Sequence, residues 1–277
     1  MKIYWLRTRR PLRQGSNMPR GFSIASSILF LMLLAGAGGL SAKKPPRYDE
    51  ALKLYARGKY NESLEVIRKV ITVQYRPYAM RMLAAANYSK LNKHQNAIEH
   101  MLWCIKENPG RAEPRIFLVG LLRKTGHHRR ALSYAAGSMA RHGENVHLRL
   151  EMARANYLLG RHREARRHLD ILMRKDRKNS DAVFLDGLIF LRQGNFDIAE
   201  FRFRHALSLK PKNRIVLADL YNNLGFALEK KGDASSDAKR AGSYRVEAEK
   251  MYRYSILVRP NHPLARQNLA RLMQKRK

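Results

Sequence analysis

The chain is organised in pairs of amphipathic helices that are joined by short turns. The pair around Gly194 shows the pattern, because apolar and small residues recur at three- and four-residue spacing on both sides of that glycine. These positions are Phe184, Gly187, Leu188, Phe190 and Leu191 before the turn and Ala199, Phe203, Ala206 and Leu207 after it. The spacing predicts a helix, a turn and a second helix that share one apolar face.

This helix pair recurs with a period of 34 residues. Steps of that length back from Ala199 reach four more small residues, Ala165, Ala131, Ala97 and Ser63. The same steps back from Gly194 reach Gly160, Gly126, Asn92 and Gly58. Glycine and asparagine are the residues that most easily adopt the positive φ common at a helix C-terminus. Five copies in phase indicate a repeat array.

Small residues also recur where the two helices of each pair must cross. In the fifth copy they are Gly187 and Ala199, and the equivalent pairs are Ala51 with Ser63, Ala85 with Ala97, Val119 with Ala131, and Ala153 with Ala165. Helix axes approach to about 8–10 Å only where the contact carries small side chains. One pair cannot bury its apolar face alone, whereas stacked pairs can, so we expect a right-handed solenoid with a concave and a convex face.

The pattern resembles the tetratricopeptide repeat (TPR) family in its 34-residue unit, its small eighth and twentieth residues and a proline near the thirty-second, here Pro109 and Pro211. Pentatricopeptide repeats are one residue longer and would drift out of phase, Sel1-like repeats are longer still, and half-a-TPR repeats depend on other aromatic positions. The resemblance covers about residues 44–277. It implies an all-α, right-handed solenoid of about six helix–turn–helix units plus a C-terminal capping helix.

The sixth unit departs from the period. Ala199 and its equivalent, Ala248, are 49 residues apart instead of 34, and most of the excess lies near residues 233–243. This segment is polar and rich in small residues, which predicts an enlarged loop, either a tolerated surface insertion or a binding loop. A last helix begins at His262-Pro263, with an apolar side formed by Leu264, Ala265, Leu269, Leu272 and Met273. Its other side is basic, as a solvating cap requires.

Residues 1–42 have the order of a secretory signal, because basic residues precede an apolar stretch and then small residues. We expect export to the periplasm or cell envelope of a bacterium, with cleavage near Ala42. The alternative is an uncleaved inner-membrane anchor at residues 22–40, since this stretch approaches the roughly 20 residues needed to span a bilayer. Met18 is a second candidate for the start of the leader.

Charge and cysteine content change the picture in two ways. The chain carries 55 Lys and Arg against 22 Asp and Glu, a formal net charge of +33, which attracts acidic partners. The single cysteine, Cys104, excludes an internal disulfide and lies at an inward-facing position, where we expect a buried structural thiol.

No motif predicts catalysis, a cofactor or a metal site. His94, His128 and His162 recur in the column that Tyr60 and Phe196 also occupy, so we interpret them as flat rings that pack at the turns. They lack a second ligand at i, i+4 and a cysteine partner. The sequence therefore favours a binding protein over an enzyme.

The resemblance also implies where a partner binds, because TPR ligands contact the first helices along the concave face. Carried over position by position, it predicts partner-binding residues at Arg123, Lys124, Arg154, Tyr157, Phe184, Arg192 and Asn223. The four cations would form a basic strip beside two aromatic rings, and guanidinium groups chelate carboxylates. We therefore expect an acidic or extended peptide segment of another protein as the ligand.

A second basic surface offers an alternative function. Arginine and lysine recur on the second helices, at Arg129, Arg130, Arg163, Arg166, Arg167, Arg174, Lys175, Arg177 and Lys178. Such a surface can bind an anionic envelope polymer or lipid headgroups by charge alone, or it can simply be solvated. Nucleic acid is a less suitable partner, because export removes the usual cytoplasmic target.

Overall fold

The computed structural model describes residues 46–72 and 77–275, and within these ranges it contains thirteen α-helices and no strand. The helices are α1 Tyr48–Ala56, α2 Tyr60–Val70, α3 Tyr78–Lys90, α4 His94–Glu107, α5 Glu113–Lys124, α6 His128–His142, α7 Val146–Leu158, α8 His162–Lys175, α9 Ser180–Arg192, α10 Phe196–Ser208, α11 Arg214–Ala234, α12 Ala238–Val258 and α13 Pro263–Gln274. The leader predicted at residues 1–42 lies outside the described residues.

Six helix pairs and the final α13 stack in chain order. The odd-numbered helices α1 to α11 are the first helices of the units, and the even-numbered ones are the second helices. Within the described ranges, most neighbouring first helices contact each other, whereas neighbouring second helices do so weakly or not at all. The first helices therefore form the inner, concave face and the second helices the outer, convex face, which confirms the predicted solenoid.

The small residues at the crossing points lie where the sequence placed them. Ala85, Ala97, Val119, Ala131 and the other alanines of these two columns are fully buried. The fifth and sixth units use glycine on the first helix at this crossing. A Cβ atom on Gly187 would lie 2.6 Å from Cε1 of Phe203, and one on Gly225 would lie 2.9 Å from the Tyr252 ring and 3.1 Å from the carbonyl oxygen of Ala248. No larger residue fits these two crossings without displacing its neighbours.

The turn column is also confirmed. Gly58, Gly126, Gly160 and Gly194 have φ between 75° and 83°, and Asn92 has φ of 58°. In each case the second helix begins two residues later. This backbone conformation therefore sets the tight angle between the two helices of a unit.

The prediction of an enlarged loop near residues 233–243 is wrong. Helices α11 and α12 are 21 residues long, and only residues 235–237 separate them. The extra residues thus lengthen both helices instead of forming a loop. The small side chains allow this, because a Cβ atom on Gly232 would lie 3.1 Å from the Ala241 carbonyl oxygen. Asp237 then caps α12 by accepting hydrogen bonds from the amides of Lys239 and Arg240.

The terminal helix α13 is held partly by buried polar contacts. Ala265 and Leu272 are buried as expected, but Leu264 and Met273, which were expected on the apolar side, are exposed. Polar side chains at this end of the chain form contacts with α11 instead. Nε2 of His262 lies 2.9 Å from Oδ1 of Asp219, and Nδ2 of Asn268 donates to Oδ1 of Asn222 at 2.9 Å. Arg271 and Lys275 both pair with the buried Glu229 of α11.

Cys104 is fully buried, as expected, and burial raises the pKa of its thiol to about 12. In the part of the chain that the structure describes, no helix has the length and hydrophobicity needed to cross a membrane.

The crossing at Gly225 can be tested by substitution. We expect Gly225→Ala to lower the free energy of unfolding by about 1–3 kcal/mol, because the added methyl group meets the Tyr252 ring and a backbone oxygen. The matched control is Gly137→Ala, at an exposed mid-helix position with no atom within 4 Å of the new Cβ. It should raise stability by about 0.5–1 kcal/mol. Urea denaturation of both variants measures the difference, and equal effects would contradict the close crossing.

Candidate functional site

The residues predicted to bind a partner lie on consecutive first helices. Arg123 and Lys124 end α5, Arg154 and Tyr157 lie on α7, and the remaining three are on α9 and α11, namely Phe184, Arg192 and Asn223. All seven residues therefore lie on helices of the inner, concave layer. Their local environments differ, and this decides which of them are available to a ligand.

Arg123 and Arg154 are already bound to carboxylates of the protein itself. Nε of Arg123 donates to Glu151 at 2.6 Å, and Nη1 of Arg154 donates to the other oxygen of Glu151 at 2.9 Å. Nη2 of Arg154 then reaches Asp181 of α9 at 2.7 Å. These four side chains, which we call the ion relay, link the first helices of three consecutive units.

The centre of the ion relay, Arg123 and Glu151, is buried, and the charges of the relay depend on one another. Glu151 is only 5% exposed. Burial favours its neutral form, but Arg123 and Arg154 outweigh burial and hold the pKa of this carboxyl below its usual range. Burial also opposes the charge of Arg154, yet Glu151 and Asp181 raise the pKa of that guanidinium. Contrary to the sequence interpretation, these two arginines serve the contact between units instead of forming an open basic strip.

Four other cations of the inner face occupy the same position within their respective units. Lys90, Lys124 and Arg192 are the last residues of α3, α5 and α9, and Lys230 has the equivalent place in α11. We call these four residues the cation column. Burial lowers the pKa of Lys90. Burial and the positive charges of Arg123 and Lys90 lower the pKa of Lys124. The column therefore carries positive charge that an added anion would stabilise.

Half-buried aromatic rings lie beside the cation column. The guanidinium of Arg192 sits 4.6 Å from the centroid of the Tyr157 ring, and Nζ of Lys230 sits 5.4 Å from that of Phe226. Phe184 packs on Phe203 with ring centroids 5.8 Å apart. Stacking fixes the positions of the two cations while leaving part of each aromatic surface accessible. The inner face thus combines charge with apolar area.

Asn223 is partly exposed, and its Nδ2 donates to the carbonyl oxygen of Asp219 in the same helix at 2.7 Å. This bond fixes the amide at the inner face. Its neighbour Asn222 is buried and accepts the hydrogen bond from Asn268 of α13. Asn223 and not Asn222 is thus the residue that a ligand can contact here.

The recurring histidines lie at the starts of second helices and are half-buried. The ring of His162 packs against Tyr157 with centroids 6.0 Å apart, as expected for a flat ring at the turn. Burial lowers the pKa of His94, and the positive charge of Lys124 lowers it further. Burial and the positive charge of Arg123 lower the pKa of His128 in the same way. Among the described residues, no group of His, Cys, Asp or Glu is arranged to hold a metal ion.

Sequence reasoning missed a cleft that the long α11–α12 pair forms above the turn at Gly194. Its volume is about 610 Å³, and its walls include Asn195, Lys231, Arg240 and Tyr244. Lys231 is held there by Asp197 at 2.8 Å and by Glu200 at 2.7 Å. The only signal in the sequence was the excess of residues near 233–243, which did not reveal their helical conformation.

Comparisons with known proteins agree with this geometry. Residues 122–183 match a family model of the tetratricopeptide repeat. A TPR protein of Parabacteroides merdae superposes with a TM-score of 0.68 over 90% of this chain and 94% of its own, at 15% identity. A thermophilic TPR protein of Thermus thermophilus gives a TM-score of 0.56 over 72% of this chain and 100% of its own, at 17% identity. The sequence has no significant match among curated proteins.

The fold is a solenoid of TPR repeats. A third similar structure is a chain of the APC/C hetero-tetramer Cut9–Hcn1, with a TM-score of 0.59 and 17% identity over 90% of this chain and 52% of that one. At these identities the structural likeness establishes the fold alone. TPR repeats indicate a scaffold for contacts between proteins.

The ion relay gives a test of stability. We expect Glu151→Gln to lower the free energy of unfolding by about 3 kcal/mol at pH 7, because it removes the buried carboxylate that balances the charges of Arg123 and Arg154. Since the pKa of Glu151 is lowered in the folded state, its contribution is present above the unfolded value of about 4.3 and is lost as the pH falls below it.

Chemical denaturation between pH 7 and pH 3 measures both effects. The wild-type protein should lose stability below about pH 4.3, and Glu151→Gln should show a shallower decline. The control is Glu164→Gln, which changes an exposed carboxyl of α8. Equal pH profiles for Glu151→Gln and the wild-type protein would contradict the role assigned to the relay.

Proposed function

We propose that this protein is a non-catalytic scaffold whose inner face binds an acidic or extended segment of another protein. We place it in the bacterial cell envelope, either free in the periplasm or anchored in the inner membrane by residues 22–40. The observation that carries the proposal is the cation column Lys90, Lys124, Arg192 and Lys230, in which Arg192 stacks on Tyr157 and Lys230 on Phe226.

The electrostatics of the column favour a carboxylate-rich ligand. The pKa of Lys124 is lowered by burial and by nearby positive charge, so an approaching carboxylate removes repulsion as well as adding attraction. Arg192 lies over the Tyr157 ring, and its guanidinium group can chelate a carboxylate through two N–H donors. These two residues are therefore the centre of the proposed site.

The spacing of the column favours an extended ligand. Consecutive members lie on different units, so a segment that contacts Lys90, Lys124 and Arg192 must run along several first helices. The half-buried rings of Tyr157, Phe184 and Phe226 offer apolar contacts along the same path. An extended chain with alternating acidic and apolar residues matches such a surface, whereas a single small molecule does not span it.

The proposed location rests on the order of residues in the leader. Basic residues between Lys2 and Arg20 precede the apolar stretch, and no acidic residue lies among them. This charge distribution keeps the N-terminus in the cytoplasm and directs the solenoid across the membrane.

Site-specific photocrosslinking in intact cells tests the proposal. A benzoylphenylalanine in place of Leu188, on the inner side of α9, should crosslink one defined protein, whereas the same group at Leu102, on the outer side of α4, should not. The double variant Lys124→Glu with Arg192→Glu should reduce the crosslinked product by more than about tenfold, because two attractive charges become repulsive.

The control is Lys106→Glu with Arg129→Glu, which changes the net charge equally on exposed outer positions. It should leave the yield at Leu188 unchanged. An equal loss in both double variants would show that only net charge matters, and no loss in either would show that the cation column does not bind the partner.

A further inference from the structure

The long helix α12 presents an exposed side that differs from the other outer helices. Its exposed residues are Ala238, Lys239, Arg240, Ser243, Val246, Lys250, Arg253, Tyr254 and Leu257. From Lys239 onward most of them recur every three or four residues along one side of the helix, and none is acidic. At 21 residues the helix is about 31 Å long, so this side forms a straight, basic and apolar stripe.

Large apolar side chains on this stripe and on the adjacent helix are open to solvent. Leu257 is 73% exposed and Val246 is 57% exposed, and Phe201 on α10 is 63% exposed. An ion pair joins the two helices near these side chains, because Nη2 of Arg204 on α10 donates to Glu247 on α12 at 2.6 Å. Phe201 is about one turn from Arg204, and Val246 is next to Glu247.

Exposed lysine and arginine residues lie among these apolar side chains. Arg204 and Arg253 are matched by Glu247 and Glu249. Lys239 and Lys250 have no carboxylate partner among the described residues, and Nζ of Lys250 lies 5.7 Å from the Tyr254 ring. The two lysines therefore leave the surface with unmatched charge next to exposed apolar area.

We propose that the outer side of α10 and α12 is a peripheral membrane-binding surface that recognises a bilayer with anionic headgroups. Leucine, valine and phenylalanine side chains enter the boundary between headgroups and acyl chains, while the ammonium groups of Lys239 and Lys250 contact lipid phosphates. Nucleic acid would satisfy the cations but would leave Leu257, Val246 and Phe201 in water. A bilayer satisfies both.

This surface is independent of the proposed peptide site. It lies on second helices, on the opposite side of the solenoid from the cation column. Binding to a bilayer through α12 leaves the inner face open, so a membrane-bound protein can still hold its partner. The contact lies in the plane of the membrane surface and requires no spanning helix.

A local fluorescent probe tests the proposal in the full chain. Ser243→Cys places a thiol on the stripe for labelling with an environment-sensitive fluorophore, and the native Cys104 is fully buried and stays unlabelled. On vesicles that contain phosphatidylglycerol, we expect a blue shift and quenching by brominated acyl chains. The same fluorophore at Ser133→Cys, on the outer side of α6, should not respond, even if residues 22–40 hold the chain on the vesicle.

Substitutions then separate charge from apolar contact. Lys239→Glu with Lys250→Glu should weaken the response of the Ser243 probe at least about 25-fold, at about fivefold for each cation. Leu257→Ser should weaken it roughly tenfold. The matched controls on α4 and α6, Lys106→Glu with Arg129→Glu and Leu102→Ser, should leave it unchanged.

Three results would overturn the proposal. The first is a Ser243 probe that stays in water on phosphatidylglycerol vesicles. The second is an equal response to pure phosphatidylcholine, which removes the role of anionic headgroups. The third is a response to duplex DNA alone, which assigns the surface to nucleic acid. Circular dichroism of each variant confirms that the helices are intact.

Discussion

The close crossing of the two helices in each unit is the contact on which the solenoid depends. It requires a small residue on each of the two helices, and the chain has alanine, serine or glycine at nearly every crossing. At Gly187 and Gly225 even a methyl group would collide with Phe203 or Tyr252. Because the crossing brings the helix axes together, larger residues such as Met101 and Leu169 can fill the space between units and form a continuous core.

Charged groups inside the stack supplement this apolar core. The ion relay joins α5, α7 and α9, and Glu229 joins α11 to α13 through Arg271 and Lys275. Such buried groups need complete pairing, so each set of contacts fixes one relative position of neighbouring units. The curvature of the inner face is then set before any ligand arrives, and a preorganised surface loses less entropy on binding.

The two faces of the solenoid carry different chemistry. The inner face has fixed cations beside half-buried rings, as at Arg192 on Tyr157, whereas the outer side of α12 has unmatched lysines beside exposed apolar residues such as Leu257. The proposed peptide groove and the proposed bilayer-binding surface need these different arrangements. If both proposals hold, the protein is a scaffold that presents a partner protein at a membrane surface.

The sequence by itself determined the number of units, the turns and the crossing residues. These features depend on local periodicity, since helix pairing involves residues within one 34-residue unit, and every copy repeats the same information. The assignment of Lys124, Arg192 and Asn223 to the ligand-facing side came from the resemblance to the TPR family, carried over position by position. The buried state of Cys104 could also be predicted, because its position in the second helix faces the core.

Only the tertiary structure decided which charged side chains are available to a ligand and which conformation the extra residues of the sixth unit adopt. Arg123 meets Glu151 from the next unit, 28 residues away, and a count of charges cannot reveal such a pairing. The residues near 233–243 were predicted to form a loop because small and polar residues favour turns in isolation. In the folded protein Gly232 packs on Ala241 across α11 and α12, and this non-local contact makes both helices longer.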